Sequence, residues 1–284
     1  MNNNAIAILM ATYNGEAFLS EQIESILAQT LQDWHLYIHD DGSTDNTLTI
    51  VREFVNQHPD KISLLDYPPQ GGACQNFLSL MDRIDSSYYM FCDQDDVWLP
   101  EKVELSFKEM QKLEQTYLGK AIVVCTDLYV SDAHLNIIHP SRWRFSAMYP
   151  PYIKTFDDCA PCAGVTGCTM LFNQAAKECC VYPVSPYAIH DNWLTLCVLK
   201  HKGILSGIDK PLMHYRQHGD NCMGAGAKDA TKIGIIYRVT NIRRILHRHI
   251  VQYKALQALG YGSVFKYIKQ VLKYRRRIKN GKYD

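Results

Sequence analysis

A chain of 284 residues, 47% hydrophobic and 21% charged with a formal net charge of +1, has the composition of a globular protein with a substantial core. Nothing in it approaches the roughly 20 consecutive apolar residues that a membrane-spanning helix needs, and ten cysteines without a secretory leader point to a reducing compartment and mostly free thiols. Charge is uneven: Thr231 to Asp284 hold fourteen Lys and Arg and a single acid, Asp284, so the first 230 residues are net acidic and a basic appendage follows.

In chain order, AIAILM (5–10) reads as a short buried strand rather than a leader, and FLSEQIESILAQT (18–30) places apolar residues at helical spacing. WHLYIHD (34–40) is a second strand ending in DDGSTDNT, where Ser43, Thr44 or Asp45 can cap the helix LTIVREFVNQH. KISLLDY (61–67) makes a third strand, GGACQNFLSLMDRI a glycine turn into a helix, and YYMFC (88–92) a fourth strand. This alternation predicts an α/β fold with a mainly parallel sheet covered by helices, and in such sheets ligands collect beyond the carboxyl ends of the strands. ATYNGE, HDDGSTD and CDQDD all fall on that rim. No G-x-G-x-x-G follows the first strand and no P-loop lysine follows any strand, which excludes an ordinary dehydrogenase or P-loop NTPase.

Asp93 and Asp95 are two residues apart, so in extended backbone their carboxylates project to one side. Two such carboxylates repel unless a proton or a divalent cation lies between them, and oxygen-only ligation favours Mg²⁺ or Mn²⁺. A solvated acidic turn, with Asp96 capping the helix that starts near Pro100, is the plainer alternative. The end of a buried strand, beside two other polar clusters, favours the metal.

Together ATYNGEAFLSEQIESILAQT, DDGSTDNT and CDQDDVWLPEKV resemble the opening half of glycosyltransferase family 2, which has the nucleotide-diphospho-sugar transferase (GT-A) fold. The likeness is tight over residues 5 to 105 and looser to about 222; FCDQDDVW with YRQHGDN (215–221) is similar to a bacterial rhamnosyltransferase subgroup. The resemblance implies a Rossmann-like mixed sheet with helices on both faces. It divides the chain into a catalytic domain, 1–225, with a nucleotide-sugar half (1–105) and an acceptor half (106–225), followed by a basic helical extension, 226–284. On the donor side it implies Ala11, Tyr13 stacked on the base, Asp41 (or its neighbour Asp40) accepting from the base, Asn76 near the sugar or ribose, and Asp93 at the ribose or metal. Asp95 would be the principal ligand of Mn²⁺ or Mg²⁺, and Asp96 would support the turn.

For the second half, HDNWLTLCVLKHKG (190–203) opens a helix with an acid where the family keeps its general base, so Asp191 takes that role, in place of a simple helix cap. Many relatives carry Glu-Asp here, whereas this chain has His190–Asp191. His190, Gly167 and Trp193 are then the acceptor-side candidates. In MHYRQHGDN, alternation puts His214, Arg216 and His218 on one strand face, with His218 as a third metal ligand or diphosphate contact and Arg216 on phosphate or on Asp95. Cys159 and Cys162 form a C-x-x-C without the second pair that structural zinc usually has.

The tail reads as two helices. The first spaces Ile235, Val239, Ile242, Leu246, Tyr253 and Leu256 at threes and fours, and the second carries Val264, Phe265, Ile268 and Leu272 on one face with Lys and Arg on the other. A basic amphipathic helix suits an anionic membrane surface; nucleic acid is disfavoured because the body shows no nucleic-acid module, and packing on the body or in a homodimer remains open. The expected protein is thus an inverting, metal-dependent glycosyltransferase, cytoplasmic and peripheral at the inner face of a bacterial membrane. It would use dTDP-rhamnose and a lipid-linked or oligosaccharide acceptor, with UDP-glucose or UDP-galactose as alternative donors. A silent sugar-nucleotide-binding or scaffold protein is the alternative from another class.

Overall fold

The computed structural model describes residues 6–279 except 147, 163, 183 and 219–241. The first half alternates as the pattern predicts: β1 (Ile6–Thr12), α1 (Leu19–Leu27), β2 (Trp34–Asp40), α2 (Thr47–Gln57), β3 (Ile62–Leu64), α3 (Ala73–Arg83) and β4 (Tyr88–Asp93). The second half holds β5 (Val97–Trp98), α4 (Lys102–Thr116), β6 (Ile122–Ser131), β7 (Ile137–His139), α5 (Arg142–Phe145), α6 (Phe156–Cys159), β8 (Met170–Asn173), α7 (Gln174–Glu178), α8 (His190–Lys200) and β9 (Ile204–Arg216). Two long helices close the described chain, α9 (Ile242–Ala258) and α10 (Val264–Lys279).

One mixed sheet runs in the order β3-β2-β1-β4-β8-β6-β9-β5, with β7 paired to β6. The four strands of the first half pair in parallel, and so do β6 and β9, while β8 runs antiparallel between β4 and β6. Register sets the rim: Thr12 lies level with Asp40 and Ala11 with Asp93, so three loops leave the sheet at one height. The short β5 pairs antiparallel with β9, Val97 opposite His214, and thereby brings the end of β9 beside the acidic turn.

β1 is buried along nearly its whole length because both faces of the sheet are covered. Its side chains alternate between two cores. Ala7 and Leu9 join Phe77 of α3, Trp193 of α8 and Leu256 of α9, while Ile6, Ile8 and Met10 join Ile23 of α1, Val51 of α2 and Val103 of α4.

The tail differs from the expected face assignment. Of the expected stripe on the first tail helix, Ile235 and Val239 lie outside the described residues, Leu246 is exposed, and Leu256 is buried in the body's core. In α10 the expected apolar stripe is exposed; Tyr267 is buried instead, with Val271 and Tyr274 packed against the core. Cations on a second stripe bind the body, Lys266 to Asp157 (2.6 Å) and Lys273 and Arg277 to Asp158 (3.6 and 3.3 Å), because α6 presents two acids there. Since Leu256 is fully buried in a core shared with the sheet, Leu256→Ala is expected to lower global stability by about 2–5 kcal/mol in a single unfolding transition. Two separate transitions in urea would show that the tail folds on its own.

Candidate active site

The loop after β1 is stitched to both neighbouring loops. Tyr13 donates its backbone N–H to Gln94 Oε1 and accepts from Gln94 Nε2, each at 2.9 Å, so a side-chain amide doubles as a strand partner. The Gln94 carboxamide passes so close to Gly15 that a Cβ there would lie 2.3 Å from Oε1, which explains the glycine. Asn14 donates its backbone N–H to Ser43 Oγ and accepts from the Thr44 N–H (2.8 Å each), and Glu16 accepts from the Asn46 N–H at 2.8 Å. The Tyr13 ring is left 56% exposed at this rim.

The acids after β2 organise backbone. Buried Asp40 accepts from the Gly42 and Ser43 N–H groups (3.0 and 2.8 Å) and from the hydroxyls of Ser43 and Thr12. Asp41, expected at the base, instead accepts from the N–H groups of Gln70, Gly71 and Gly72 and holds the glycine loop before α3. Asn76, expected near the sugar, is 1% exposed because its carboxamide clamps His39, Oδ1 lying 2.7 Å from Nδ1 and Nδ2 donating to the carbonyl at 3.1 Å. That removes it from the donor. Ala11 sits at the rim between His39 and Asp93.

β4 ends at Asp93, and Gln94 and Asp95 form a turn, so strand alternation does not relate the two acids. They are close all the same. Burial, then the Asp95 charge, then Asp191 push the Asp93 carboxyl well above its ordinary range. Asp95 Oδ2 lies 2.8 Å from His218 Nε2, and the His218 ring rests on Phe18 at 4.6 Å.

Of its two expected places, on phosphate and on Asp95, Arg216 takes the second. It is 2% exposed, and its Nε donates to the Asp95 carbonyl (2.8 Å), Nη1 to the Ala133 carbonyl (2.6 Å), Nη2 to Glu21 (2.5 Å) and its backbone N–H to Asp96 Oδ1 (3.1 Å). It braces the acidic turn from below. The shared strand face also breaks up: β9 ends at Arg216, and His214 bonds Ser131 at 3.0 Å, leaving His218 to reach Asp95.

Under the turn lies a cation that the sequence reading passed over. Lys102 is fully buried with its Nζ 3.2 Å from the Trp98 ring centroid and without a hydrogen-bond partner among the described residues. It lies within electrostatic reach of Cys168, Cys92, Asp96 and Asp93, and burial pulls its ammonium down to about 8. Asp96 is equally buried, its Oδ2 unpartnered among the described residues. Ligand atoms of Asp93, Asp96 and Cys168 come within 4.8 Å of one another. This inner set suits the ammonium better than a metal, because burial and the two acids push the soft Cys168 thiol up and keep it protonated. The outer pair Asp95 and His218, a carboxylate and an imidazole 2.8 Å apart beside Asp93, has the donor types that suit Mn²⁺ or Mg²⁺, although the three are not gathered within 4.8 Å of one another as the inner set is.

On the facing side, Asp191 stands in the first turn of α8, where Oδ2 accepts from the Gly167 N–H at 2.9 Å and Oδ1 from the Asn192 N–H at 2.5 Å. Burial lifts its carboxyl to about 6 despite these bonds. A Cβ on Gly167 would come within 2.9 Å of His190 Nε2 and 3.4 Å of Asp191 Oδ2, so glycine lets this turn reach the carboxylate. His190 is stacked on Phe77 (4.4 Å) and set edge-on to Phe91 (4.8 Å), and burial lowers it to about 3, leaving it neutral. Buried and neutral, it cannot supply the charge of the acid that the resemblance leads one to expect at this position. Trp193 is withdrawn from the acceptor: it is fully buried with its indole N–H on the Val181 carbonyl at 2.9 Å.

Because Lys102 counters buried acids, Lys102→Met is expected to cost about 3–5 kcal/mol by stranding Asp96, and adding Asp96→Asn should restore most of the loss. Denaturant melts of both variants check this; additive losses would show that the two groups are not coupled.

Residues 7–179 match the profile of Glycosyl transferase family 2. The chain is 29% identical over 236 residues to the dTDP-rhamnosyl transferase RfbG of Shigella flexneri, covering 76% of this chain and 74% of that one. Over 112 residues it is 33% identical to the UDP-Glc:alpha-D-GlcNAc-diphosphoundecaprenol beta-1,3-glucosyltransferase WfgD of Escherichia coli, covering 39% and 43%. Among solved structures, the mannosyltransferase PcManGT from Pyrobaculum calidifontis, in complex with GDP-Man and Mn²⁺, superposes with a TM-score of 0.58 at 16% identity, covering 96% of this chain and 69% of that one. That likeness carries the fold, and the profile match over most of the sheet carries the family: the chain belongs to glycosyl transferase family 2 and is a glycosyltransferase with the GT-A fold.

Proposed function

We propose that this enzyme is an inverting, divalent-cation-dependent transferase that moves rhamnose from dTDP-L-rhamnose to a hydroxyl of a lipid-linked surface-polysaccharide acceptor, at the cytoplasmic face of a bacterial membrane. What supports this chemistry is that Asp191 holds the N–H of Gly167, and the next residue, Cys168, brings its thiol within 4.8 Å of Asp93, so that one short segment links the two acids. In this reading Asp191 accepts the proton of the acceptor hydroxyl as that oxygen attacks the anomeric carbon opposite the leaving diphosphate. Its lifted carboxyl, about 6, is matched to base work near neutrality, and the Gly167 and Asn192 N–H groups hold it in place.

Asp93, Asp95 and His218 would hold the cation, which supplies charge neutralisation of the leaving diphosphate. Tyr13 offers an exposed ring to the base. RfbG supports rhamnose, since its likeness spans most of both chains. Support for a divalent cation comes from the Mn²⁺ in PcManGT, and for a lipid diphosphate acceptor from the name of WfgD. UDP-glucose is the second donor reading, favoured by that same relative.

Asp191→Asn is expected to lower kcat by about 10²–10⁴-fold while leaving dTDP binding unchanged; near wild-type turnover would remove Asp191 as base. With the carboxylate active only when ionised, kcat should fall about tenfold per pH unit below the carboxyl's pKa of about 6 and level off above it. A flat profile from pH 5 to 8 contradicts the assignment. Asp95→Ala should abolish the Mn²⁺-dependent rise in melting temperature given by dTDP-rhamnose, a rise that mass action requires of any ligand bound to the native state alone. An undiminished rise would remove Asp95 from the metal site.

A further inference from the structure

The helix α10 carries seven Lys and Arg and no acid, and its side chains sort into three stripes. Tyr267, Val271 and Tyr274, at spacings of four and three, lie against the body. Lys266, Lys273 and Arg277, at spacings of seven and four, bind Asp157 and Asp158 of α6. The third stripe is Phe265, Ile268 and Leu272, which are 80%, 48% and 51% exposed. Beside it stand exposed cations: Lys269 follows Phe265 by four residues, and Arg275 and Arg276 follow Leu272 by three and four. Burial against the body is thus met by the other two stripes, which fix the helix rotation and turn the apolar stripe outward. Three large apolar side chains in contact with water along one stripe mark an interaction surface.

We propose that this stripe docks the protein on an anionic lipid bilayer, with Phe265, Ile268 and Leu272 inserted at the headgroup boundary and Lys269, Arg275 and Arg276 on lipid phosphates. Charge complementarity selects the occupant. A second copy would bring the same cations against themselves, whereas an anionic bilayer offers negative charge and apolar depth together. The surface is separate from the rim and does not depend on the donor assignment; it shares with the preceding reading only the membrane on which a lipid-linked acceptor would lie.

Cosedimentation of the full chain with vesicles of phosphatidylglycerol and phosphatidylcholine, against phosphatidylcholine alone, tests the proposal. Binding is expected to the anionic vesicles and to fall roughly 100-fold when Phe265, Ile268 and Leu272 are all changed to Ser. It should fall by a similar factor when Lys269, Arg275 and Arg276 are all changed to Ala. Both variants should melt like the wild type, since the six side chains are exposed, and Asp191→Asn should bind vesicles normally, which separates a failure of docking from a failure of the catalytic reading. Equal binding to uncharged vesicles, or undiminished binding by either triple variant, overturns the proposal. So does a dimer in sedimentation velocity that the Ser variant abolishes, because the stripe then faces a second copy.

Discussion

The rim of the sheet gathers more negative charge than desolvation allows without compensation. Asp93, Asp95, Asp96 and Asp191 converge there, and the raised carboxyls of Asp93 and Asp191 record the strain. The compensation comes from three directions. Lys102 lies beneath, His218 stands beside Asp95, and in the proposed mechanism a divalent cation with the donor diphosphate approaches from above. The first two are built into the fold.

Geometry at this rim is fixed by backbone rather than by long side chains. Gln94 closes the first loop onto the acidic turn, Asp40 and Asp41 gather the amides of their own and the glycine loop, and Gly167 delivers an N–H to Asp191. Arg216 completes the frame by tying the acidic turn to α1 and to the loop after β6. Such bonds between separate segments of the chain restrict motion at the reacting centre, which suits catalysis that rests on positioning.

Half of the architecture was legible because strands and helices of the first half alternate with clear periods and end in polar clusters. The rim position of Tyr13, the contact of Arg216 with Asp95 and the placing of Asp191 at the start of α8 followed from order along the chain. The burial of Asn76 and Trp193 did not, because each is held by a tertiary partner, His39 for Asn76 and Val181 for Trp193. Lys102 was missed for a related reason. A lysine in the first turn of an amphipathic helix reads as surface, yet it shares the buried stripe of Val103, Ser106 and Met110, and that stripe was the available signal. The tail shows the converse. Its apolar spacing was correct as a helix, but aromatic residues and ion pairs to α6 took the contact with the body.

In the proposed mechanism Asp191 serves as a base toward the acceptor, with the diphosphate leaving from the opposite side, rather than as a nucleophile toward the sugar. Determining the anomeric configuration of the transferred sugar by NMR, in a reaction with dTDP-rhamnose and a water-soluble acceptor, tests it most directly. One product anomer is expected, inverted relative to the donor. Retention of the donor's configuration would contradict it.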